Sequence, residues 1–245
     1  TTGSGFVATW YDQSGNDNHA TQSTPDSQPK IVSDGSLNAD GLLFDGTNDE
    51  LTTTNAISST NIAIITVSKQ PSTAAESIFS MIDGFNDGHE ILYRAVTNGI
   101  RYSLEDSDLD ISGTTANKNV FFANYDGSVQ TFAVNGVAST QSTSKTVDTI
   151  TSVAQIGSRQ NQDFLEGSIE EIIVYTTDQS ENRRAIEESI ATNYSITLGS
   201  FSRDGMVRTW YDQSVSDQGS TATGNHAVQA TAANQPKVVS NGSLL

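Results

Sequence analysis

Apolar residues come in short runs along this chain, separated by pairs drawn from Ser, Thr, Asn, Asp and Gly. That rhythm belongs to a β-sandwich assembled from many short strands. Gly99-Ile100-Arg101-Tyr102-Ser103-Leu104-Glu105 alternates with period two, which puts Ile100, Tyr102 and Leu104 on a core face. Residues 62–67 are almost continuously apolar and read as a strand covered on both faces. From Val120 the pattern is strand, Asp126-Gly127, strand, Asn135-Gly136, strand. Both dipeptides tolerate positive φ, so the stretch reads as a meander with two-residue turns. Residues 169–175 form the most insistent strand, rich in β-branched side chains. One helix follows: Asp178 is its expected N-cap with Glu181 three residues on, and Ile186, Ile190 and Tyr194 make a narrow apolar stripe. Arg183, Arg184, Glu187 and Glu188 fall on its solvated side.

The opening pattern returns near the end. Thr9-Trp10-Tyr11-Asp12-Gln13-Ser14 reappears at residues 209–214, and Asn18-His19-Ala20 as Asn225-His226-Ala227. Gln28-Pro29-Lys30 returns as Gln235-Pro236-Lys237, and Gly35-Ser36-Leu37 as Gly242-Ser243-Leu244. The offset is 200 at the tryptophans (210 minus 10) and 207 from the asparagines on (225 minus 18), so a seven-residue insertion sits in a Ser/Thr/Gly-rich loop. A domain-sized period signals a tandem array. The expected division is a β-sandwich repeat over residues 1–196, a connector over 197–204 and the truncated start of the next repeat over 205–245. That start is expected to pack on the first domain's edge or to begin a sheet of its own.

Charge narrows the partners. Twenty-nine acidic residues against twelve basic give a net charge of −17. Such a surface repels nucleic acid and anionic membranes and favours cations, calcium above all. No apolar run approaches the ~20 residues that cross a bilayer as a helix, so no membrane insertion is expected of this segment. With no cysteine there is neither a disulfide framework nor a thiolate site.

Three segments in order carry a resemblance: Asp12-Gln13-Ser14-Gly15-Asn16-Asp17-Asn18-His19-Ala20, then Leu43-Phe44-Asp45-Gly46-Thr47-Asn48-Asp49-Glu50-Leu51, then residues 164–175 with the helix after them. Together they resemble the opening, turn and closing elements of concanavalin A-like, laminin-G-like modules. The resemblance implies an all-β antiparallel jelly-roll sandwich with one short C-terminal amphipathic helix. Tandem, acidic and cysteine-free, the chain is also similar to the giant repeat adhesins of bacterial surfaces, including those of gliding flavobacteria. The implied role is a non-catalytic, secreted cell-surface module. Its partners would be glycans or external surfaces and neighbouring repeats. A pure structural spacer is the second reading. The Thr-Trp-Tyr-Asp-Gln-Ser string resembles the catalytic jelly roll of arabinofuranosidase B, which leaves a glycoside hydrolase, or its carbohydrate-binding domain, as the third.

Candidate chemistry follows from side-chain type. Asp12, Asn16, Asp17 and Asn18 lie on one Gly-containing loop, Asp45 and Asp49 on another, and oxygen-rich loops of this kind supply Ca²⁺ ligands. The resemblance, which places a calcium near the opening and closing strands, adds Glu170. The competing role for these residues is to cap turns through their own backbone. Glu105-Asp106-Ser107-Asp108-Leu109-Asp110 reads as a solvated loop. A glycosidase needs two facing carboxylates; among Glu90, Glu105, Asp126, Glu166, Glu170 and Glu171 none is singled out, and no catalytic residue is assigned. Glu170 and Glu171, adjacent on a strand, are expected on opposite faces. His19, His89 and His226 have no local His or Cys partner and read as structural. Trp10 and Trp210 read as core anchors, with sugar stacking as the alternative. Tyr93, Tyr102 and Tyr125 are the candidates for a sugar-binding groove.

Overall fold

The computed structural model describes residues 3–71, 74–82, 88–94, 99–105, 107–112, 117–142, 149–199, 205–206, 209–210, 227–229, 237–240 and 243–244. They fall into two compact units, residues 1–199 and 200–245.

The first unit opens with short strands: β1 (Gly5–Phe6), β2 (Thr9–Trp10), β3 (Ala20–Thr21), β4 (Lys30–Ser33) and β5 (Ser36–Leu37). Then come β6 (Leu42–Asp45), β7 (Leu51–Thr53), β8 (Ile57–Ser59), β9 (Ile62–Lys69), β10 (Glu76–Ile82), β11 (Gly88–Arg94), β12 (Gly99–Leu104) and β13 (Ser107–Ser112). The meander is β14 (Asn119–Tyr125), β15 (Val129–Val134) and β16 (Val137–Ser142), followed by β17 (Ile150–Ser152), β18 (Ala154–Ile156), β19 (Glu166–Tyr175) and helix α1 (Arg183–Tyr194). Nine strands make one sheet in the order β1-β4-β6-β19-β9-β14-β15-β16, with β5 on β4. Eight make the other, β13-β12-β11-β10-β18-β7-β3-β2. Consecutive strands repeatedly switch sheets, as a jelly roll requires.

Side-chain alternation divides the apolar residues between two layers. Ile62 and Ile64 of β9 join Phe44, Phe79, Tyr102, Phe121, Phe132 and Ile169 in the cluster between the sheets. Ala63, Ile65 and Val67 point the other way, where Val120, Phe122 and Ala133 meet Ile186, Ile190 and Tyr194 of α1. The strand covered on both faces is therefore β9, whose outer residues share a cluster with the helix, while the helix itself lies over the neighbouring β14. Trp10 packs, partly buried, against the inner cluster, which is the anchoring role.

Several local expectations are corrected. The helix begins four residues after the expected N-terminus region, with Asn182 as its cap residue. Asp178 instead closes the preceding turn, accepting from Ser180 N at 2.9 Å and Ser180 Oγ at 2.8 Å, and accepting Asn124 Nδ2 at 2.8 Å. Glu187 is not solvated: its side chain is fully buried and meets Arg183 Nη1 at 3.0 Å. The Asn135-Gly136 turn has two residues, both at positive φ (48° and 83°). At Asp126 the turn takes three, because Asp126 Oδ1 gathers the amides of Ser128 and Val129 at 2.8 and 2.7 Å. The acidic stretch after Glu105 is strand β13: Arg101 of β12 donates to both Asp110 oxygens at 2.7 Å and also pairs Asp108. The first unit also reaches into the expected connector, since Gly199 N donates to Asn135 O at 2.7 Å and Leu198 joins the cluster beneath α1.

The second unit holds β20 (Gly205–Met206), β21 (Thr209–Trp210), β22 (Ala227–Val228), β23 (Lys237–Ser240) and β24 (Ser243–Leu244). Its register copies the opening of the first. Gly5↔Val32 and Phe6↔Lys30, with a register shift between Gly5 and Phe6, return as Gly205↔Val239 and Met206↔Lys237 with the shift in the same place. Thr9↔Thr21 and Trp10↔Ala20 return as Thr209↔Val228 and Trp210↔Ala227. Val32↔Leu37 and Ser33↔Ser36 return as Val239↔Leu244 and Ser240↔Ser243. These strands form a three-stranded and a two-stranded sheet.

Candidate functional site

The outward face of the nine-stranded sheet is covered by α1 over its central strands and open toward β1, β4 and β6. A groove of about 280 Å³ lies there, lined by Asn38, Asp40, Gly41, Leu43, Lys69 and Ser168 among others. Its near wall is the loop between β5 and β6. Asn38 pins that loop, donating from its backbone N to Ile31 O at 2.9 Å and from Nδ2 to Lys30 O at 3.0 Å. Gly41 turns it at φ +81°, and a Cβ there would stand 2.4 Å from Ile169 O. Only glycine allows both the left-handed backbone and that approach.

The turn delivers Asp40 to two lysines. Lys69 Nζ, at the end of β9, donates to Asp40 Oδ2 at 2.9 Å, and Lys118 Nζ stands 3.6 Å from Oδ1. Lys118 also pairs Glu170 of β19 and sits 6.0 Å above the Tyr194 ring at the end of α1. The hydrogen bond from Lys69 holds the Asp40 carboxyl below its usual range, against partial burial. Burial pushes the Tyr194 hydroxyl up to about 12, helped by Glu171 and then Glu170. Both glutamates thus act on one hydroxyl. The expectation that they face apart fails because β19 carries a bulge: Ile169 pairs Ser68 and Glu171 pairs Val67, leaving Glu170 as the extra residue.

Beside the groove a cross-strand row runs Phe6, Lys30, Leu43, Ser168, Lys69. Phe6 is 53% exposed and Leu43 40%, with Lys30 Nζ 5.8 Å from the Phe6 ring centre. The patch combines an aromatic face, an aliphatic contact, the ammonium groups of Lys30, Lys69 and Lys118 and the carboxylates of Asp40 and Glu170. The Lys69–Asp40 pair is 40% and 39% exposed and worth about 0–1 kcal/mol, so ligand hydroxyls can replace it at small cost. Asp40, Lys69, Lys118 and Tyr194 are scattered in sequence, and only Glu170 was flagged from the chain. A lysine at a strand end carries no signal by itself.

The expected calcium ligands fall in three places. In the first loop Asp12 closes an Asx turn, Oδ1 accepting Ser14 N at 2.8 Å and Oδ2 accepting Ser14 Oγ at 2.9 Å and Asn18 N at 3.0 Å. Those bonds hold its carboxyl below the usual range. Asn16 Nδ2 donates to Ser14 Oγ at 2.9 Å, Asp17 takes φ 54°, and Asn18 Oδ1 accepts Asn55 N at 2.8 Å. His19 belongs to this loop as a structural acceptor, its Nδ1 taking Asp12 N at 3.2 Å. In the second place Asp45 Oδ1 accepts Thr47 N at 2.8 Å, while Asp49 Oδ2 accepts Asp45 N at 3.1 Å. Burial pushes the Asp49 carboxyl up to about 6, and Asp45 adds to the rise. Glu170 is in the third place, tied to Lys118 beyond the Leu42 end of β6, whereas Asp45 ends that strand at the other side. Among the described residues no three His, Asp or Glu side chains group to hold a metal.

The tyrosine groove is also corrected. Tyr102 is fully buried and Tyr125 is 2% exposed, because both alternate onto the inner face with Phe121 and Phe132. Neither ring can stack on a sugar. The side chain of Tyr93 lies outside the described residues.

No protein-family profile and no curated protein matches this chain. Solved structures do. It is similar to Trypanosoma rangeli sialidase in complex with sialic acid at 10% identity and a TM-score of 0.55, over 79% of this chain and 32% of that one. The receptor-binding domain of botulinum neurotoxin C/D mosaic serotype aligns at 12% identity and a TM-score of 0.50, covering 77% of this chain and 56% of that one. The SAP-like pentraxin of Limulus polyphemus aligns at 13% identity and a TM-score of 0.47, over 58% and 77%. This chain therefore spans about a third of the sialidase and just over half of the toxin domain. The likeness is one of fold alone, an antiparallel jelly-roll β-sandwich.

Proposed function

We propose that this chain is a stretch of a tandem array of non-catalytic lectin-like sandwiches on a bacterial cell surface, working as an adhesin. The observation that carries the reading is the repeated register, bulge included, at residues 205–244. An array needs only weak contact per module, because each bound unit raises the effective concentration of the next. The groove at Asp40 and Lys69 offers the contact chemistry: a carboxylate to accept from ligand hydroxyls, ammonium groups to donate, and Phe6 and Leu43 as apolar platforms. The toxin domain that shares this fold is a receptor-binding domain.

A non-catalytic role is supported by the engagement of the candidate acids. Asp126 closes a turn, and Glu170 is neutralised by Lys118. The spacer reading gains from the burial of Tyr102 and Tyr125, which removes two sugar platforms from the surface. Retention of the chain on immobilised polysaccharides separates the two. The adhesin reading expects retention that falls about tenfold in Asp40→Asn/Lys69→Met; silence on all glycans makes the array a spacer. Sugar release that is lost in Glu170→Gln or Glu171→Gln would establish the hydrolase instead.

Calcium support belongs in this proposal at the turn of Asp45 and Asp49. There two carboxylates repel each other, and a divalent cation between them would relieve that repulsion. The melting temperature is expected to rise by a few degrees in millimolar Ca²⁺ and to return with EDTA, with no rise in Asp49→Asn. An unmoved wild-type melting curve removes the ion.

A further inference from the structure

Tyr11 is the most exposed aromatic side chain among the described residues, at 63%. It follows Trp10 at the end of β2, and because Trp10 turns onto the inner cluster, alternation sends the next ring to solvent. That ring is braced. It meets the His19 ring edge to face, with 5.0 Å between centres. His19 is itself fixed: Nδ1 accepts Asp12 N at 3.2 Å, and its carbonyl takes Thr54 N and Thr54 Oγ1, both at 2.8 Å. An accepting Nδ1 leaves the neutral imidazole's proton on Nε2. Neither that N–H nor the Tyr11 hydroxyl has a hydrogen-bond partner among the described residues.

Repetition singles out the same group. Between residues 5–14 and 205–214, and between 18–37 and 225–244, nine positions differ, and seven of the nine are exposed in the first copy. Surface positions of this segment are therefore free to change. Tyr11 does not change: it returns as Tyr211, and Asp12, Gln13, Ser14, Asn18 and His19 return with it. Only the tip of the loop varies, three residues at 15–17 against ten at 215–224. A side chain that stays mostly in water adds little to the core, so packing does not account for its retention. What both copies keep is an outward ring and the residues that brace it.

We propose that Tyr11 and His19 form a second saccharide-binding platform, at the β2 end of the eight-stranded sheet, which takes the apolar C–H face of a neutral sugar ring. A braced tyrosine suits that contact because it offers a large apolar face at little cost in conformational entropy. Its hydroxyl and the His19 Nε2–H supply hydrogen bonds to the hydroxyls at the sugar's rim. Charge selects the ligand. Residues 1–29 carry Asp12, Asp17 and Asp26 but no lysine or arginine, so a uronate or a sulfated sugar is repelled. The inference rests on the lectin-like reading and gives it a ligand class and a contact apart from the groove at Asp40 and Lys69.

Affinity electrophoresis of the full chain tests this, with galactomannan, arabinan and dextran as neutral probes and alginate as an anionic one. A neutral polymer is expected to retard the wild type. Tyr11→Ala should weaken that binding about tenfold and Tyr11→Phe, which keeps the ring, about threefold at most. Both variants should melt with the wild type, since the side chain is mostly in water. Nuclear magnetic resonance of the unmodified chain decides the point without any variant: oligosaccharides of the retarding polymer should shift the ring resonances of Tyr11 and His19. Unshifted rings in the bound chain, or neutral-polymer binding that survives Tyr11→Ala and falls only in Asp40→Asn/Lys69→Met, would overturn the inference and leave the lectin-like reading standing. Binding to alginate alone overturns the neutral-sugar assignment in the same way. A wild type that binds none of the polymers removes both.

Discussion

At the scale of single residues, two buried ionisable groups give stability opposite dependences on pH. Glu187 of α1 faces Arg183 and Arg184, yet burial dominates and pushes its carboxyl up to about 7. A carboxyl raised in the fold contributes most while protonated, so its contribution is full below about pH 4.5 and is lost as pH rises through 7. Glu187→Gln should therefore stabilise the chain at pH 8 by on the order of 2 kcal/mol, the gain fading toward pH 4.5. His89 behaves in reverse. It is buried beside Tyr102, whose hydroxyl lies 3.1 Å from Nδ1, and desolvation lowers its pKa to about 3. Its neutral form stabilises above about pH 6.5, and that stability drains as pH falls toward 3. Denaturant titrations of Glu187→Gln and His89→Gln across pH 4 to 8 should show slopes changed in opposite senses. Neither burial was legible from a charged or polar letter. Tyr102 was: strict alternation through Ile100, Tyr102 and Leu104 had placed it inside, and its nomination for a sugar groove ran against that pattern.

At the scale of elements, alternation located β9, β12 and β19, because period two is imposed by the pleat wherever one face is buried. Departures from period two were invisible. The bulge at Glu170 places two acids on the side of Tyr194, and no residue type announces it. The helix start moved to Asn182 because Asp178 finds tertiary partners in Asn124 and Ser180 rather than a helical amide. The β5–β6 loop makes a direct test of how backbone shapes the groove. Gly41→Ala meets both a left-handed φ and a Cβ 2.4 Å from Ile169 O. It should cost about 2–4 kcal/mol in urea unfolding. A change under about 1 kcal/mol would mean that the loop relaxes and that the groove is not fixed by this turn.

At the scale of the whole molecule, repetition was the most legible feature, because a recurring string needs no physical inference to be seen. What the string could not give was register. Trp10 and Trp210 share six letters of context, but only the pairings Trp10↔Ala20 and Trp210↔Ala227 make them the same strand in two modules. The candidate site was illegible at this scale, since Asp40, Lys69, Lys118 and Glu170 meet only after β6, β9 and β19 align. The adhesin proposal and the weak-contact mechanism both depend on residues 205–244 being a second beginning of the same sandwich. Nuclear Overhauser contacts across the backbone of the intact chain test that claim most directly. The account predicts contacts between Thr209 and Val228, and between Val239 and Leu244, matching those of Thr9 with Thr21 and Val32 with Leu37. Contacts pairing Thr209 or Val239 in any other register would contradict it.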